Sequence, residues 1–507
     1  MIGGDNIVIE DQILSIINKF KNNIEEDVFE NYFLGFIFYM HMSYEMEMYL
    51  NNKLNSYNSN LSAVYEKKKY ESNLRKDGID NLGYFLEPKY LFSNIIKKTK
   101  YHRLIIESLE KAFKKIEEST KGQISENAFK NIFKDIDLHS PKIGKKPENR
   151  IKLITDLLIQ LSQIDFKIND SKYIFEYLIA IFPKYAGRIS ADSQTPNQVS
   201  KIMAQIVANS KITIENVYDP NCGSGTLMLE LNQETKVLKF YGQDSNQTNY
   251  NVARMNMIIH RIPYDNFDIR KEDSLENPAY IGKKFEAIIS KPPFTSKWSQ
   301  DPDFITDPRF KDYGILAPKS KPDFSFIQHA LFYLNNNGTL AIVLPPGILF
   351  RGSSEKQIRK QLIEKNYLDA VIGLPSNLFP KTTTPTVILV FKKSRSTEDK
   401  ILFINASKNY KKSKNQNIIM EEDIDKIIAI YKNKEEQSKF SHLATLDEIR
   451  ENDYNLNISR YVDTFEEEPL DLDELKSELR FIDRKIDNID HEIKRYCREL
   501  GIRDLVY

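Results

Sequence analysis

Three acidic residues and one proline corner carry the chemistry legible in this chain. Asp219 stands in Val217-Tyr-Asp-Pro-Asn-Cys-Gly-Ser-Gly-Thr-Leu, which reads as a strand, a glycine turn and a helix starting near Thr226. Gly223 and Gly225, flanking Ser224, permit a tight turn and let backbone approach a ligand closely. A carboxylate just before the glycines suits a cationic ligand better than a pyrophosphate, and no Gly-x-x-x-x-Gly-Lys-Ser/Thr phosphate loop is present. Taken alone, such a turn is equally an ordinary connection. Asp244 follows the next strand, Phe240-Tyr-Gly-Gln, where an acid commonly accepts from ribose hydroxyls. Asp273 follows a third short strand over 267–269, where a carboxylate can accept from an adenine amino group. Each acid by itself also reads as a solvated loop residue; three at successive strand ends outline a nucleoside site.

The proline corner is Ser290-Lys-Pro-Pro-Phe, after the strand Phe285-Glu-Ala-Ile-Ile. Pro292 and Pro293 fix the backbone and remove two N–H donors. Outward carbonyls are left beside Phe294, an aromatic ring able to stack on a base. Lys291 precedes them, and an ammonium has three donors and no acceptor.

These residues need strand tips to hold them. From about 170 to 408, short β-branched runs at 217–218, 240–243, 286–290, 339–344, 370–374 and 386–392 alternate with helical stretches. That alternation predicts an α/β fold with one doubly wound, mostly parallel sheet. Residues 11 to about 165 read as successive helices, with Ile13, Ile16, Ile17 and Phe20, and then Phe33, Phe36, Ile37 and Met40, at helical spacing. After about 415 the pattern returns to helix. Leu472, Leu475, Leu479, Ile482, Ile486, Ile489, Ile493, Tyr496 and Leu500 step by three and four, an a/d seam within a predicted helix over 470–501. A lone helix cannot bury such a stripe, so it needs a partner helix, in this chain or in another; the terminal position favours another. The expected domains are a helical one over 1–165, the α/β one over 166–412 and a C-terminal helical region over 413–507.

The bulk composition narrows the function classes. Lys plus Arg is 72 and Asp plus Glu is 72, so no global positive field draws in nucleic acid; basic contacts must be local or come from a partner. Two cysteines, Cys222 and Cys497, are too few for a disulfide framework or a cysteine-based zinc site. The seven histidines show no His-Glu-x-x-His spacing, which predicts no metal site, and His260 and His329 read as ordinary helix residues. The N-terminus carries no signal-peptide pattern, and the apolar run over 32–42 falls short of the ~20 residues that span a bilayer. The expectation is a soluble, cytoplasmic protein with no membrane association.

The Pro-Pro-Phe corner resembles the Asn/Asp-Pro-Pro-Tyr/Phe motif of amino-methyltransferases acting on DNA. The chain is similar to the modification (methyltransferase) subunits of type I restriction-modification systems. Gly83-Tyr-Phe-Leu-Glu-Pro, Asp219-Pro-Asn-Cys-Gly-Ser-Gly, Tyr250-Asn-Val-Ala-Arg-Met-Asn-Met, Leu316-Ala-Pro-Lys-Ser-Lys and Asn452-Asp-Tyr-Asn-Leu-Asn-Ile carry the likeness over nearly the whole chain. The resemblance implies transfer of a methyl group from S-adenosylmethionine to adenine N6 in double-stranded DNA, on a base flipped out of the duplex. It implies a cofactor site of Ser193, Gln194, Thr195, Pro196, Asp219, Gly223, Ser224, Gly225, Thr226, Asp244 and Asp273, and a catalytic corner of Lys291, Pro292, Pro293 and Phe294. It also implies a specificity subunit bound through the C-terminal helices, and a restriction (translocase) subunit. A protein or RNA methyltransferase is the more distant alternative.

The chain departs from the family at its catalytic rim. Lys291 replaces the Asn whose side-chain oxygen accepts from the adenine amino group, and its charge opposes the positive charge developing on N6. Ser193 and Gln194 replace two aromatics before Thr195-Pro196, expected at a helix N-cap and first position. Pro346 replaces a His after the fifth strand, and Pro380 and Lys381 alter an aromatic-Gly-Thr loop at Phe379. These changes open a second reading: a methyltransferase-like subunit with little or no catalysis that still binds its specificity subunit.

Overall fold

Strand residues alternate between two apolar cores. Val217 and Ile289 face one, while their neighbours Tyr218 and Ile288 face the other. A sheet buried on both sides follows, as the continuous apolar runs require. In the computed structural model, which describes residues 3–55, 68–97, 104–164, 170–182, 195–380, 382–413, 416–463 and 472–503, this sheet has nine strands. They are β1 (Thr213–Asp219), β2 (Lys236–Gln243), β3 (Phe267–Arg270), β4 (Phe285–Ser290), β5 (Leu334–Leu344), β6 (Leu368–Gly373), β7 (Val387–Lys392), β8 (Ile401–Asn405) and β9 (Ser441–Ala444). Their order is β9-β8-β6-β7-β5-β4-β1-β2-β3. β7 runs antiparallel to β5 and β6, β9 runs antiparallel to β8, and the other pairs are parallel.

The strand order reverses between β1 and β4. In doubly wound sheets the crevice beyond the carboxyl ends at such a switch point is where ligands bind. Asp219 closes β1 and Ser290 closes β4, so the sequence motifs end at that crevice.

The N-terminal residues form long helices: α1 (Gly3–Phe20), α2 (Glu26–Asn55), α3 (Lys68–Leu82), α4 (Ile105–Ser119), α5 (Pro147–Ser162) and α6 (Asp170–Ile181). The apolar run over 32–42 is the buried middle of α2. Among the described residues no helix is long and apolar enough to cross a membrane. The helices share one continuous core with a face of the sheet. On that face lie α7 (Asn197–Ala208), α8 (Thr226–Glu234), α9 (Gln247–Ile259) and α12 (Glu421–Asn433), while α10 (Asp323–Tyr333) and α11 (Ser353–Glu364) cover the other.

Arg254 of α9 ties the helical region to the sheet. Its guanidinium is buried, donates to the carbonyls of Asn127, Ala128 and Lys130 at 2.9–3.3 Å, and lies 3.9 Å from the Tyr250 ring centroid. Asn251 donates to Asp135 and Tyr264 to the Leu82 carbonyl. The Tyr250–Met257 stretch is thus a docking helix as well as a sheet element.

Two expectations need correction. The region after 415 is not all helix: Ser441–Ala444 extends the sheet, pairing with Ile401–Asn405, and neither strand stood out from periodicity because both are short. Thr195 is not the N-cap of α7; Pro196 holds that position, without a side-chain cap.

The chain divides into two units, 1–462 and 463–507. The second contains α13 (Leu472–Leu500). Leu479, Ile482, Ile486, Ile489, Tyr496 and Leu500 of its stripe are about half exposed or more. Side chains at 472 and 475 lie outside the described residues.

Candidate cofactor site and catalytic corner

The glycine turn is built as its composition requires. Gly223 and Gly225 have φ of 53° and 78°, and Gly225 caps α8. A Cβ on Gly242 of the neighbouring strand would come within 3.0 Å of Cys222 Sγ, so the turn packs against bare backbone there.

The acids hold this turn in place. Asp244 Oδ2 accepts from the Gly223 amide at 3.0 Å and from Asn249 Nδ2 at 3.1 Å, and its Oδ1 accepts from the Asn246 amide at 2.8 Å. Burial raises the Asp244 pKa, and the neighbouring Asp273 adds to the rise. Asp273 is exposed, with Oδ1 accepting from the Leu275 and Glu276 amides.

Asp219 is fully buried. Its Oδ1 accepts from the Asn221 amide at 2.9 Å, while Oδ2 is buried without a hydrogen-bond partner. Burial pushes its pKa up to about 7, Asp244 pushes the same way, and the Asn221 amide, the nearby Ser290 hydroxyl, which stands outside hydrogen-bond geometry, and Lys291 pull it back. Asn221 Oδ1 and Asn256 Oδ1 are likewise buried and unpartnered. Asn256, from α9, donates to the Ser224 carbonyl at 2.9 Å.

Unsatisfied buried acceptors are costly. Three of them around one glycine turn fit a ligand that brings donors and positive charge. S-adenosylmethionine carries an ammonium, hydroxyls, an amino group and a sulfonium, and it fits; a phosphate does not. Beside the turn lies a cavity of about 340 Å³ lined in part by Thr195, Pro196, Ser224, Thr226, Asn256, Leu378 and Pro380. Four of the predicted cofactor residues therefore line one cavity, while Asp219, Gly223, Gly225, Asp244 and Asp273 are not part of its lining. Ser193, Gln194 and Lys381 lie outside the described residues.

At the proline corner Lys291 is buried, 4% exposed. Its ammonium stands 5.0 Å from the Phe294 ring centroid and 5.9 Å from that of Phe379. The two rings meet edge to face with centroids 5.5 Å apart. A cation over aromatic faces is attracted by the ring quadrupole. The sequence does not mark Phe379 and Asn256 as site residues: both lie far along the chain from the corner and turn they join. The aromatic start of the altered loop was the available signal for Phe379.

Comparison with known proteins identifies the family. Residues 169–469 match the family model for N-6 DNA methylase, and residues 9–161 match the HsdM N-terminal domain. The chain is 34% identical to the methylase subunit of the type I restriction enzyme MpnII of Mycoplasma pneumoniae, over 96% of each chain. It is 31% identical to that of MjaVII of Methanocaldococcus jannaschii, over 70% of this chain and 64% of the relative. The crystal structure of a type I restriction-modification methyltransferase subunit from Streptococcus thermophilus superposes with a TM-score of 0.83 at 34% identity, covering 90% of this chain and 99% of that one. The Pro-Pro-Phe corner and these matches lead to one family: the chain belongs to the N-6 DNA methylases, as an adenine-specific methylase subunit of the type I restriction-modification class.

Proposed function

We propose that this chain binds S-adenosylmethionine at the β1–β4 switch point and works on an adenine flipped out of double-stranded DNA, within a complex whose specificity subunit it meets through α13. A restriction (translocase) subunit completes that complex. The observation that carries the reading is the set of buried, unpartnered acceptors on Asp219, Asn221 and Asn256 around one glycine turn.

When bound, the cofactor supplies an electrophilic methyl group on a sulfonium. Asp219 would hold positive charge, Asp244 would accept from the ribose, and Asp273 would offer Oδ2 to the adenine amino group. Pro292 and Pro293 leave carbonyls rather than amides at the corner. Phe294 offers a face for the target base, and positioning of this kind supplies much of the rate.

A second reading rests on Lys291. Its ammonium lies over the Phe294 ring that a base would need, and it offers no acceptor to adenine N6. On this reading the subunit binds cofactor and partner while methylating slowly or not at all. The test is methylation by the complex with its specificity subunit, using DNA that carries that subunit's site. N6-methyladenine formed by the unaltered chain supports the first reading. Its absence, with cofactor still bound, supports the second.

A further inference from the structure

Behind the strand tips lies a hydrogen-bonded chain of buried side chains with a determinable direction. Arg309 is 4% exposed and comes from the loop that follows the Pro-Pro-Phe corner. Asp307 holds its guanidinium from one side, through Nε at 3.0 Å and Nη2 at 2.8 Å. Its Nη1 donates to the Ser274 carbonyl at 3.0 Å and meets His329 Nδ1 at 3.1 Å. His329 Nε2 meets the Tyr218 hydroxyl at 2.9 Å, and that hydroxyl donates to Gln243 Oε1 at 2.9 Å.

Each proton on this chain can be assigned. An arginine only donates, so His329 Nδ1 accepts. The Ala279 amide donates to Gln243 Oε1 at 3.2 Å, while Gln243 Nε2 donates to the Asn277 carbonyl at 3.1 Å, which fixes the orientation of that amide. Tyr218 therefore spends its proton on Gln243 and must accept from His329, leaving the histidine proton on Nε2. Burial and the adjacent Arg309 lower the His329 pKa well below its ordinary value, so the ring is neutral, as this pattern demands.

The chain touches the immediate neighbour of every strand-tip acid. Tyr218 precedes Asp219, Gln243 precedes Asp244, and Ser274 follows Asp273. We propose that Arg309, His329 and Tyr218 form a relay of positioning residues that sets the three acid-bearing turns in one register and ties them to the loop after the catalytic corner. His329 acts through others and touches no reacting atom. The cofactor role of the acids rests on the function proposed above; the mechanical coupling does not.

Calorimetric titration with S-adenosylmethionine and amide hydrogen exchange, both on the full chain, test the relay. Tyr218→Phe keeps the ring stacked on Phe285, with centroids 4.7 Å apart, and removes only the hydroxyl. Arg309→Lys keeps the charge beside Asp307 and loses the fork to Ser274 and His329. Each single variant is expected to weaken cofactor binding by about tenfold, and the double variant no further, the signature of residues acting as one unit. Leu331→Ala, in the same core but outside the relay, lowers the melting temperature and leaves cofactor affinity unchanged. In Arg309→Lys the amides of Leu275, Glu276 and Asn277, which bond to Asp273, exchange faster. Single-variant affinities within twofold of the unaltered chain, losses that multiply in the double variant, or unchanged exchange at Asp273 would overturn the relay. Failure of the unaltered chain to bind S-adenosylmethionine would instead defeat the cofactor reading, and the exchange measurement would still decide the coupling.

Discussion

Lys291 places its ammonium 5.0 Å from the centre of the Phe294 ring, the aromatic ring proposed above to face the target base. The Lys291 ammonium is buried and also lies 5.9 Å from the Phe379 ring centroid, while Phe294 is half-buried. A base that stacks on the face of Phe294 beside Lys291 must displace this cation, and displacement gives up a cation–π attraction on the order of 1–2 kcal/mol.

Lys291→Asn should therefore raise adenine methylation by about tenfold or more, the equivalent of ~1.4 kcal/mol in the barrier. It frees the ring and supplies an acceptor for N6. Recovery stays partial, because Ser193, Gln194 and Pro346 also differ from the family pattern. The assay is methyl transfer to site-containing DNA by the assembled complex. A rate in Lys291→Asn equal to or below that of the unaltered chain contradicts this account of the corner.

Asp219 gives the cofactor affinity a pH dependence of predictable sign. Its folded pKa of about 7 lies above the ordinary carboxylate value, so the folded chain holds this proton more tightly than the unfolded chain does. Stability from this group is present at low pH and is lost as pH rises from the ordinary value through about 7. Binding of a cationic ligand favours the ionised form, so affinity for S-adenosylmethionine should rise from pH 6 to pH 8. Titrations near pH 7 in buffers of different ionisation enthalpy should register proton release. In Asp219→Asn the share of both effects that belongs to this group disappears, leaving the weaker dependence of Asp244, and affinity at pH 8 falls by about tenfold or more. A flat affinity profile in the unaltered chain would refute the assignment.

Arg254 supports the site from the helical side. Removing its guanidinium strands the carbonyls of Asn127, Ala128 and Lys130 in a buried setting. Arg254→Met should cost about 2–4 kcal/mol in urea unfolding. It should also weaken cofactor binding, because Asn256 sits two residues further along the same helix and holds Ser224. A loss below about 0.5 kcal/mol, the usual range of a surface substitution, would show the tie to be dispensable.

Deletion of residues 470–507 removes the exposed stripe of α13. The expected result is loss of the complex with the specificity subunit in size-exclusion chromatography, with S-adenosylmethionine binding retained by the remaining chain. A complex that survives the deletion would move the partner surface elsewhere.

Some of this was legible in sequence, and the physical reason differs from residue to residue. Gly223 and Gly225 announced themselves because a positive φ is cheap only for glycine. The α13 stripe was readable because a helix repeats its face every three or four residues. The β1–β4 strands were found from apolar runs between turns. The relay was not legible. Arg309, His329, Tyr218 and Gln243 are joined only by the fold, Tyr218 and His329 being 111 positions apart, and His329 reads as an ordinary residue of an apolar helix. The same holds for Asn256 on Ser224 and for Phe379 on Phe294, each a contact between distant segments. Periodicity reports faces of elements; it does not report which side chains from different elements meet.

The most direct test of the central claim is calorimetric titration of the unaltered chain with S-adenosylmethionine at pH 8, beside the same titration of Asp219→Asn. One-site saturable binding by the unaltered chain, weakened about tenfold or more in the variant, is the predicted result. Absence of binding by a folded, unaltered chain, or equal affinity in both, would contradict the assignment of the switch-point crevice as the cofactor site.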